Sequence, residues 1–389
     1  MPRGPMNKTA SLPPWRRAIK SLAALELTLV CILLLMAVVF LCTLDQVQIG
    51  IFAAVKRDIR SFFLYWSPAA GLKIPFFPGG ALVGSVLLAN LAAAFYERFT
   101  WERRKAGIWL VHLGIVLLVA GEFVTGFFAE ETQMAVLEGQ TLGYTESTRR
   151  VELAVVDGSD PGVDEAFALR EEALKPGREF KHARWPFTLR LKDYYENSTL
   201  ERKGAEDPAA ASAGVGTGLV ARRALPVSSD DQVNQAAAFV EVLEGGRSLG
   251  VYLLSNGLGA PQSFTAGGKE YQLSLRMRRR PLPFSLTLKK FKRVMYPGTD
   301  IPKSFSSLVR LDDPAKGEDR DVLIYMNNPL RYGNKAFYQA SFGKDDKLSV
   351  LQVVENPGWL LPYLACILAS LGLAVQFYFS FSASRAARP

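Results

Sequence analysis

The chain has 389 residues, 49% of them hydrophobic, and a formal net charge of +9. Its three cysteines, Cys31, Cys42 and Cys366, all lie in or beside apolar stretches. This placement argues against a disulfide framework and against a thiol-redox role, because both need paired, accessible cysteines. The positive charge does not indicate nucleic-acid binding either, since no basic stripe interleaved with aromatic residues accompanies it.

Four apolar stretches approach or exceed the roughly 20 residues that a membrane-spanning helix requires. They lie at residues 23–43, 79–96, 107–128 and 359–381. The first stretch is too long for the core of a signal peptide and lacks a small-residue cleavage site, so we expect it to remain as an anchor. The sequence therefore predicts an integral membrane protein.

Lysine and arginine are concentrated in the short flanking segments 1–22, 97–106 and 382–389. An even number of spans puts these three segments on one side of the membrane, and their positive charge assigns that side to the cytoplasm. The segments 44–78 and 129–358 then lie outside. Within the first of them, residues 48–66 have apolar residues at helical spacing, which predicts an amphipathic helix on the membrane surface or packed against the external domain.

The segment 129–358 is long enough for one sizeable domain or two small ones. Short runs of β-branched and aromatic residues alternate with Gly, Asn, Asp or Pro, as is typical of a sandwich or a barrel. Two stretches interrupt this pattern: residues 164–174 have helical composition, and residues 201–218 are predicted to form a surface loop. The predicted fold class is α+β, with four transmembrane helices and a large extracytoplasmic, β-rich, sandwich-like domain between the third and the fourth.

Four polar side chains, Glu26, Asn90, His112 and Gln376, lie near the cytoplasmic ends of the four spans. Counted at 1.5 Å per residue, they fall within about 5 to 6 Å of one another in depth, which predicts one polar layer. Glu26 is close enough to the interface to reach water. For Asn90 and Gln376, hydrogen bonding between helices and a functional role are both open.

His112 is the strongest candidate for a functional residue. It lies in an otherwise apolar span, and His182 is the only other histidine of the chain. An imidazole in that place favours metal ligation or proton transfer, and Asn90 is the in-chain candidate for the acceptor that orients its ring. Because the layer offers one good ligand, a six-coordinate haem would take its second axial ligand from another polypeptide.

The sequence resembles the ResB (CcsB) family, the membrane subunit of the system II cytochrome c maturation machinery. The segments that carry the resemblance are, in the family's order, CTLDQ, HLGIVLLVAGEFVTGFF followed by MAVLEGQT, YPGTDIPKSFSSLVRL, MNNPLRYGNKAFYQASFG and VVENPGWLLPYLACILASLGL. They cover much of the chain outside residues 151–263. The most specific of them is the segment with the Asn-Pro and Phe-Tyr-Gln motifs.

The resemblance implies a bacterial plasma-membrane protein that pairs with a CcsA (ResC) partner carrying a tryptophan-rich haem-handling motif. Together, such a pair exports haem b and joins it to the Cys-x-x-Cys-His motif of apocytochrome c, with thioredoxin-like thiol reductants as further partners. His112 matches the family's transmembrane histidine. The resemblance therefore implies that His112 is an axial ligand of haem in transit and that the partner supplies the second histidine.

The chain departs from the full machinery, because its six tryptophans are scattered and form no tryptophan-rich external motif. We therefore expect a non-catalytic subunit of a haem lyase complex. The alternative is a structural assembly factor that stabilises the CcsA-type partner without binding haem. Proton-coupled transport is not supported, since Glu26, His112 and Glu122 are too few and too widely spaced for a relay.

The external segment offers weaker candidates. The basic run Arg276, Arg278, Arg279 and Arg280 is predicted to be a solvated strand end, with haem propionates or an acidic partner as the alternative. His182 is predicted to be a surface or turn residue. Residues 296–299 (YPGT) and 327–330 (NNPL) are predicted to be turns that serve architecture first and apocytochrome docking second.

Overall fold

The structure is a computed structural model that describes residues 13–69, 72–100, 102–159, 165–204, 207, 210–227, 233–343 and 346–386. Some predicted features lie outside these residues: most of the N-terminal tail, the end of the C-terminal tail, Trp101, Asp164 and four positions of the predicted loop at 201–218. The described residues form two compact units. One is a helical unit within Met1–Ala129 and Asn356–Pro389, and the other is a β unit within Glu130–Val227 and Asp231–Glu355.

The helices of the helical unit are α1 (Pro14–Leu22), α2 (Leu25–Ile49), α3 (Ile51–Ala54), α4 (Gly80–Arg98), α5 (Ala106–Phe128) and α6 (Leu361–Ala386). Among the described helices, α2, α4, α5 and α6 are long and apolar enough to cross a membrane. The prediction of four apolar spans is confirmed at this level.

The first span is longer than the 23–43 that hydropathy predicted. Helical hydrogen bonding does not stop where the apolar composition stops, and α2 continues through polar residues to Ile49. There Gly50 adopts a φ of 75° and its N–H bonds to the carbonyl of Gln46. A positive φ is readily adopted by glycine, which explains why the helix ends at this residue.

The helix predicted across residues 48–66 is found only in its first part. After the short α3, a single π-helical turn spans Val55–Ile59 and is followed by a hairpin of β1 (Phe63–Ala69) and β2 (Leu72–Pro78). Asp58 in the π turn is fully buried and pairs with Arg57, which also pairs with Asp45. Arg57 thus joins the end of α2 to the π turn.

Helices α5 and α6 approach closely along a seam of three glycines at seven-residue spacing, Gly107, Gly114 and Gly121, which are the buried residues of α5. A Cβ atom at Gly107 would lie 2.5 Å from the Gly372 carbonyl oxygen, and one at Gly114 would lie 2.8 Å from that of Ala365. Small residues let helices in a membrane approach to backbone distance. We call Gly107, Gly114 and Gly121 the glycine seam.

The strands of the β unit are β3 (Glu130–Leu137), β4 (Thr141–Asp157), β5 (Glu165–Arg170), β6 (Glu179–Phe180), β7 (Phe187–Tyr195), β8 (Ser198–Arg202), β9 (Leu219–Arg223), β10 (Ala237–Glu244), β11 (Arg247–Ser255), β12 (Gln262–Ala266), β13 (Lys269–Met295), β14 (Pro302–Asp313), β15 (Glu318–Tyr325), β16 (Leu330–Tyr332), β17 (Lys335–Phe342) and β18 (Leu348–Glu355). A ten-stranded sheet runs β15-β14-β13-β4-β3-β18-β17-β16, with β12 paired to β13 and β5 to β4. A four-stranded sheet runs β11-β10-β7-β6, and β8 pairs with β9.

The β unit has two large cores. In the first, Leu189 and Val240 of the four-stranded sheet pack with Leu153 and Leu273 of the ten-stranded sheet, as two layers of a sandwich do. In the second, residues of β3, β13, β14, β15, β17 and β18 close on one another, so this half of the large sheet curls around its own core. The predicted β-rich region is confirmed.

The helix predicted at residues 164–174 is wrong. Glu165–Arg170 form β5, and only Glu171–Ala173 form a single 3₁₀ turn. Strand β5 pairs with β4, and its Phe167 and Leu169 pack against the first core. Tertiary packing of alternate residues here outweighs the helical propensity of the composition.

The Phe-Tyr-Gln motif of β17 builds the second core. Phe337 is fully buried, and the Gln339 Oε1 accepts a hydrogen bond from Ser307 Oγ at 2.6 Å. The Gln339 Nε2 donates to Ser349 Oγ at 3.0 Å. Because β14 and β17 are not neighbours in the sheet, this side-chain network joins strands that backbone hydrogen bonds do not, and the motif has an architectural role.

The Asn-Pro segment forms a tight turn, as predicted: Tyr325 and Asn328 exchange backbone hydrogen bonds, and Asn327 adopts a φ of 63°. Just beyond it, the Tyr332 hydroxyl donates to Asp313 Oδ2 at 2.7 Å. Partial burial and this hydrogen bond raise the pKa of Tyr332 to about 12.

We expect Gly114→Ala to destabilise the helical unit by about 1 to 3 kcal/mol, because the new Cβ meets backbone atoms of α6 that must move. Gly126→Ala is the matched control on the same helix, since its Cβ would find only the Arg60 side chain, at 3.8 Å. Thermal unfolding in detergent measures both variants. Equal midpoints would contradict the close packing at the glycine seam.

We expect the Tyr332–Asp313 bond to make stability depend on alkaline pH. The tyrosine pKa is about 10 in an unfolded chain and is raised in the folded one, so the contribution is complete below about pH 10 and is lost as the pH rises toward 12. Tyr332→Phe should remove this part of the decline. Unfolding midpoints measured across that pH range, with Tyr325→Phe as the control, test it; parallel curves for Tyr332→Phe and the unmodified protein would contradict it.

Candidate functional site

His112 lies on α5, six residues after its first residue. Its Nδ1 is 2.8 Å from the carbonyl oxygen of Ile108, one turn earlier on the same helix. A carbonyl oxygen only accepts hydrogen bonds, so Nδ1 is the donor here, and in its neutral form the ring keeps a lone pair on Nε2. This is the tautomer that a histidine needs to bind a metal through Nε2.

The acceptor that orients the ring is therefore Ile108 and not Asn90. Residue identity does not single out this acceptor, because every residue within a helix has a carbonyl four positions before it, whatever side chain stands there. Metal-bound histidines are usually held by such an acceptor on their other nitrogen, and a backbone carbonyl is one of its common forms.

The His112 side chain is partly buried and lies on the face of α5 that points away from α6. Five residues separate it from Gly107, which corresponds to about 140° around the helix. An aromatic group flanks the ring: the centroid of Trp109 is 6.4 Å from that of His112, and Trp109 packs against Phe95 and Phe99, both at 5.2 Å. Trp109 is fixed further by its Nε1, which donates to the Thr100 carbonyl at 3.2 Å.

These residues fit one axial position of a haem iron. His112 offers a lone pair and a fixed ring, and the neighbouring surface is aromatic and apolar. Within the described parts of the chain, no three His, Cys, Asp or Glu side chains come together in a group that could hold a metal. A haem iron has two axial positions, of which His112 would fill one.

Asn90 of α4 closes a break in the helical unit. It is 0% exposed; its Nδ2 donates to the carbonyls of Leu22 and Ala24 at 2.6 and 3.0 Å, and its Oδ1 accepts from Thr28 Oγ1 at 2.6 Å. Between these carbonyls, that of Ala23 accepts from Arg98 Nη2 at 2.9 Å. The break between α1 and α2 leaves backbone carbonyls without helical partners, and α4 supplies donors for them.

The other two members of the predicted polar layer make no bond to His112. Glu26 is exposed in the first turn of α2. The Gln376 backbone lies against Gly107, while its Oε1 is buried without a hydrogen-bond partner in the described residues. The common depth of the four groups stays a prediction, and Thr28, Arg98 and Trp109 are the neighbours that the sequence did not indicate.

The basic run of the β unit is largely neutralised by carboxylates on β3 and β4. Arg276 pairs with Glu152 at 3.0 Å, Arg279 pairs with Glu146 at 3.0 Å, and Arg280 pairs with Glu130. These guanidinium groups already bind carboxylates, which disfavours a propionate site here. A run of arginines in one strand does not show which carboxylates of the neighbouring strands lie opposite it, so the sequence did not predict these ion pairs.

His182 lies in a cluster of rings, with centroids 4.3 Å from Phe167 and 5.5 Å from Trp185. Its Nδ1 accepts from the Arg184 N–H at 3.3 Å. These contacts hold a turn of the β unit and bring no second ligand-type side chain to the ring.

Comparison with known proteins gives two matches. The ResB-like family model matches residues 240–350, which contain most of β10 to β17, including Ser307 and Gln339. Protein NrfI of Wolinella succinogenes is 42% identical over 93 residues, a stretch that covers 24% of this chain and 10% of NrfI. The chain is thus similar to the ResB-like family, as its motifs predicted. The matched stretch spans only about a tenth of NrfI.

We expect Asn90→Leu to destabilise the helical unit by about 1 to 3 kcal/mol, because it removes the side-chain donor of the Leu22 carbonyl and the acceptor of the Thr28 hydroxyl in an apolar setting. Gln376→Leu is the matched control, since its Oε1 has no bond to lose. Unfolding midpoints in detergent compare the two variants. A larger loss for Gln376→Leu would refute the role assigned to Asn90.

Proposed function

We propose that this protein is a haem-binding, non-catalytic subunit of a system II cytochrome c synthase. In this role it works with a CcsA (ResC) type partner that handles haem on the outer side, and the two present haem and apocytochrome c to each other for covalent attachment. The resemblance to the ResB family supports a role in cytochrome c maturation, and the geometry of His112 supports haem binding.

The observation that carries the proposal is the ring of His112. Its Nδ1 proton is engaged by the Ile108 carbonyl, so Nε2 is available as a ligand without any change of tautomer. The partly buried ring lies on the face away from α6, beside the Trp109 ring that packs on Phe95 of α4. One ligand from this chain and one from the partner would complete the axial coordination of a haem b iron.

The remaining residues of the site position the imidazole. Trp109 packs beside it and is anchored through the Thr100 carbonyl. The clasp of Asn90 and Arg98 on the break between α1 and α2 keeps α4 in place against α2. A fixed ring favours binding, because little side-chain freedom is then lost when a ligand is held.

The proposed topology places both termini and the connection between α4 and α5 in the bacterial cytoplasm, since the short basic segments lie there. The β unit is then extracytoplasmic, on the side where apocytochrome c receives haem. His112 lies about 9 Å along α5 from its cytoplasmic end by this topology, so haem meets the ring early in its passage outward.

We expect His112→Ala to remove the absorption bands of a bis-histidine haem from the complex purified with its partner. His182→Ala is the matched control, because it deletes the other imidazole of the chain from a ring cluster of the β unit. The control should keep its spectrum and its haem content. Pyridine haemochrome quantification per complex gives the occupancy of each variant.

Retention of the spectrum and the haem by His112→Ala would refute the ligand role. If that variant also matured cytochrome c normally, the assembly-factor alternative would replace the proposal. A partner that alone accumulates, holds haem and matures cytochrome would exclude both.

A further inference from the structure

Helix α5 carries two parallel seams at seven-residue spacing, offset by one residue. The glycine seam is covered by α6. The other seam consists of Ile108, Ile115 and Glu122, with His112 and Leu118 between them, and we call it the open seam. Ile108, Ile115 and Leu118 are 39%, 40% and 47% exposed, and Glu122 is exposed as well. Apolar residues with this spacing are what a packed partner helix requires.

Glu122 is the unusual member of this seam. It lies six residues before the end of α5, about 9 Å inside the helix end. The other acidic residues of the four candidate spans, Glu26, Asp45 and Glu97, all lie within four residues of a helix end. An ionisable group at the depth of Glu122 is unfavourable in hydrocarbon unless it is paired or faces a protein interior, yet the described residues give it no hydrogen bond and no ion pair.

A second copy of this chain would not supply a suitable cation from its spans. Across α2, α4, α5 and α6 the only Lys or Arg residues are Arg98 and Arg385, both close to the opposite end of the membrane by the proposed topology. Among the described residues, Arg60 is a cation near the outer end of α5; its Nε would lie 3.8 Å from a Cβ at Gly126, one turn beyond Glu122. Arg60 makes no ion pair with Glu122 in the described residues, and it is the intramolecular competitor that a test has to include.

We propose that the open seam of α5 is the docking surface for a membrane-spanning helix of a different protein, and that this helix carries a lysine or arginine opposite Glu122. The inference rests on the proposed function, whose partner it places on a defined face of this chain. Ten residues, or about 15 Å along the helix axis, separate Glu122 from His112. The ion pair would therefore hold the partner at the outer part of α5.

Photo-crosslinking in the membrane tests the surface. A benzophenone amino acid is placed at Leu118 of the full chain, co-expressed with its CcsA-type partner. The matched control position is Leu113, which is 45% exposed and lies about 140° around the same helix. We expect Leu118 to crosslink to the partner and Leu113 not to do so. Crosslinks from Leu118 only to lipid or to a second copy of this chain, or equal yields from the two positions, would overturn the proposal.

Charge removal tests the ion pair. We expect Glu122→Gln to lower the Leu118 crosslink to the partner about three- to tenfold, the range that loss of one interhelical polar contact corresponds to. Glu26→Gln, an exposed carboxylate in the first turn of α2, and Arg60→Gln should leave the yield unchanged. An unchanged yield for Glu122→Gln, or an equal loss for Arg60→Gln, would overturn the pairing with a partner cation. Accumulation of each variant in the membrane, measured by immunoblot, normalises the yields.

The haem-ligand proposal and the docking proposal can be refuted independently of each other. If Glu122→Gln loses no crosslink while His112→Ala loses the haem spectrum, the docking surface is wrong and the haem function stands. If Leu118 crosslinks to the partner but His112→Ala keeps its haem, the docking surface stands and the ligand role fails.

Discussion

The close contact of α5 with α6 decides which residues of this protein are available to others. Gly107 and Gly114 let the α6 backbone approach to a distance that a Cβ atom would not tolerate, and Gly121 lies against the Leu361 side chain. That contact fixes the rotation of α5 about its own axis. It therefore directs His112 away from α6 and places Glu122 about 100° around the helix from Gly121.

The polar groups of the helical unit lie among apolar residues, where a hydrogen-bond donor or acceptor without a partner costs free energy. Asn90 and Arg98 satisfy three consecutive carbonyls at the break between α1 and α2. The Nδ1–H of His112 is satisfied within its own turn. Nε2 of His112 and the carboxylate of Glu122 differ from these groups, because the described residues provide no partner for either, and the face that carries them is the one we assign to a second protein.

The β unit explains why the family resemblance is strongest where it is. Gln339 of the Phe-Tyr-Gln motif bonds to Ser307 of the SFSSLVRL segment and to Ser349. This network joins strands that are not adjacent in the sheet. Arg276, Arg279 and Arg280 are aligned with carboxylates on neighbouring strands. These motifs thus stabilise the fold of the β unit, whereas the haem ligand that we propose lies in the helical unit.

The sequence by itself determined the four apolar helices, the β-rich segment between the third and the fourth, and the position of the one histidine in a span. Hydropathy, strand alternation and residue identity are local properties, so they can be determined without knowledge of the fold. The end of α2 at Gly50, strand β5 in place of a helix, the clasp made by Asn90 and the pairing of the arginines were decided by the tertiary structure. Each depends on packing, on hydrogen bonds between residues far apart in sequence, or on a backbone angle, and none of these is contained in the periodicity of a single segment.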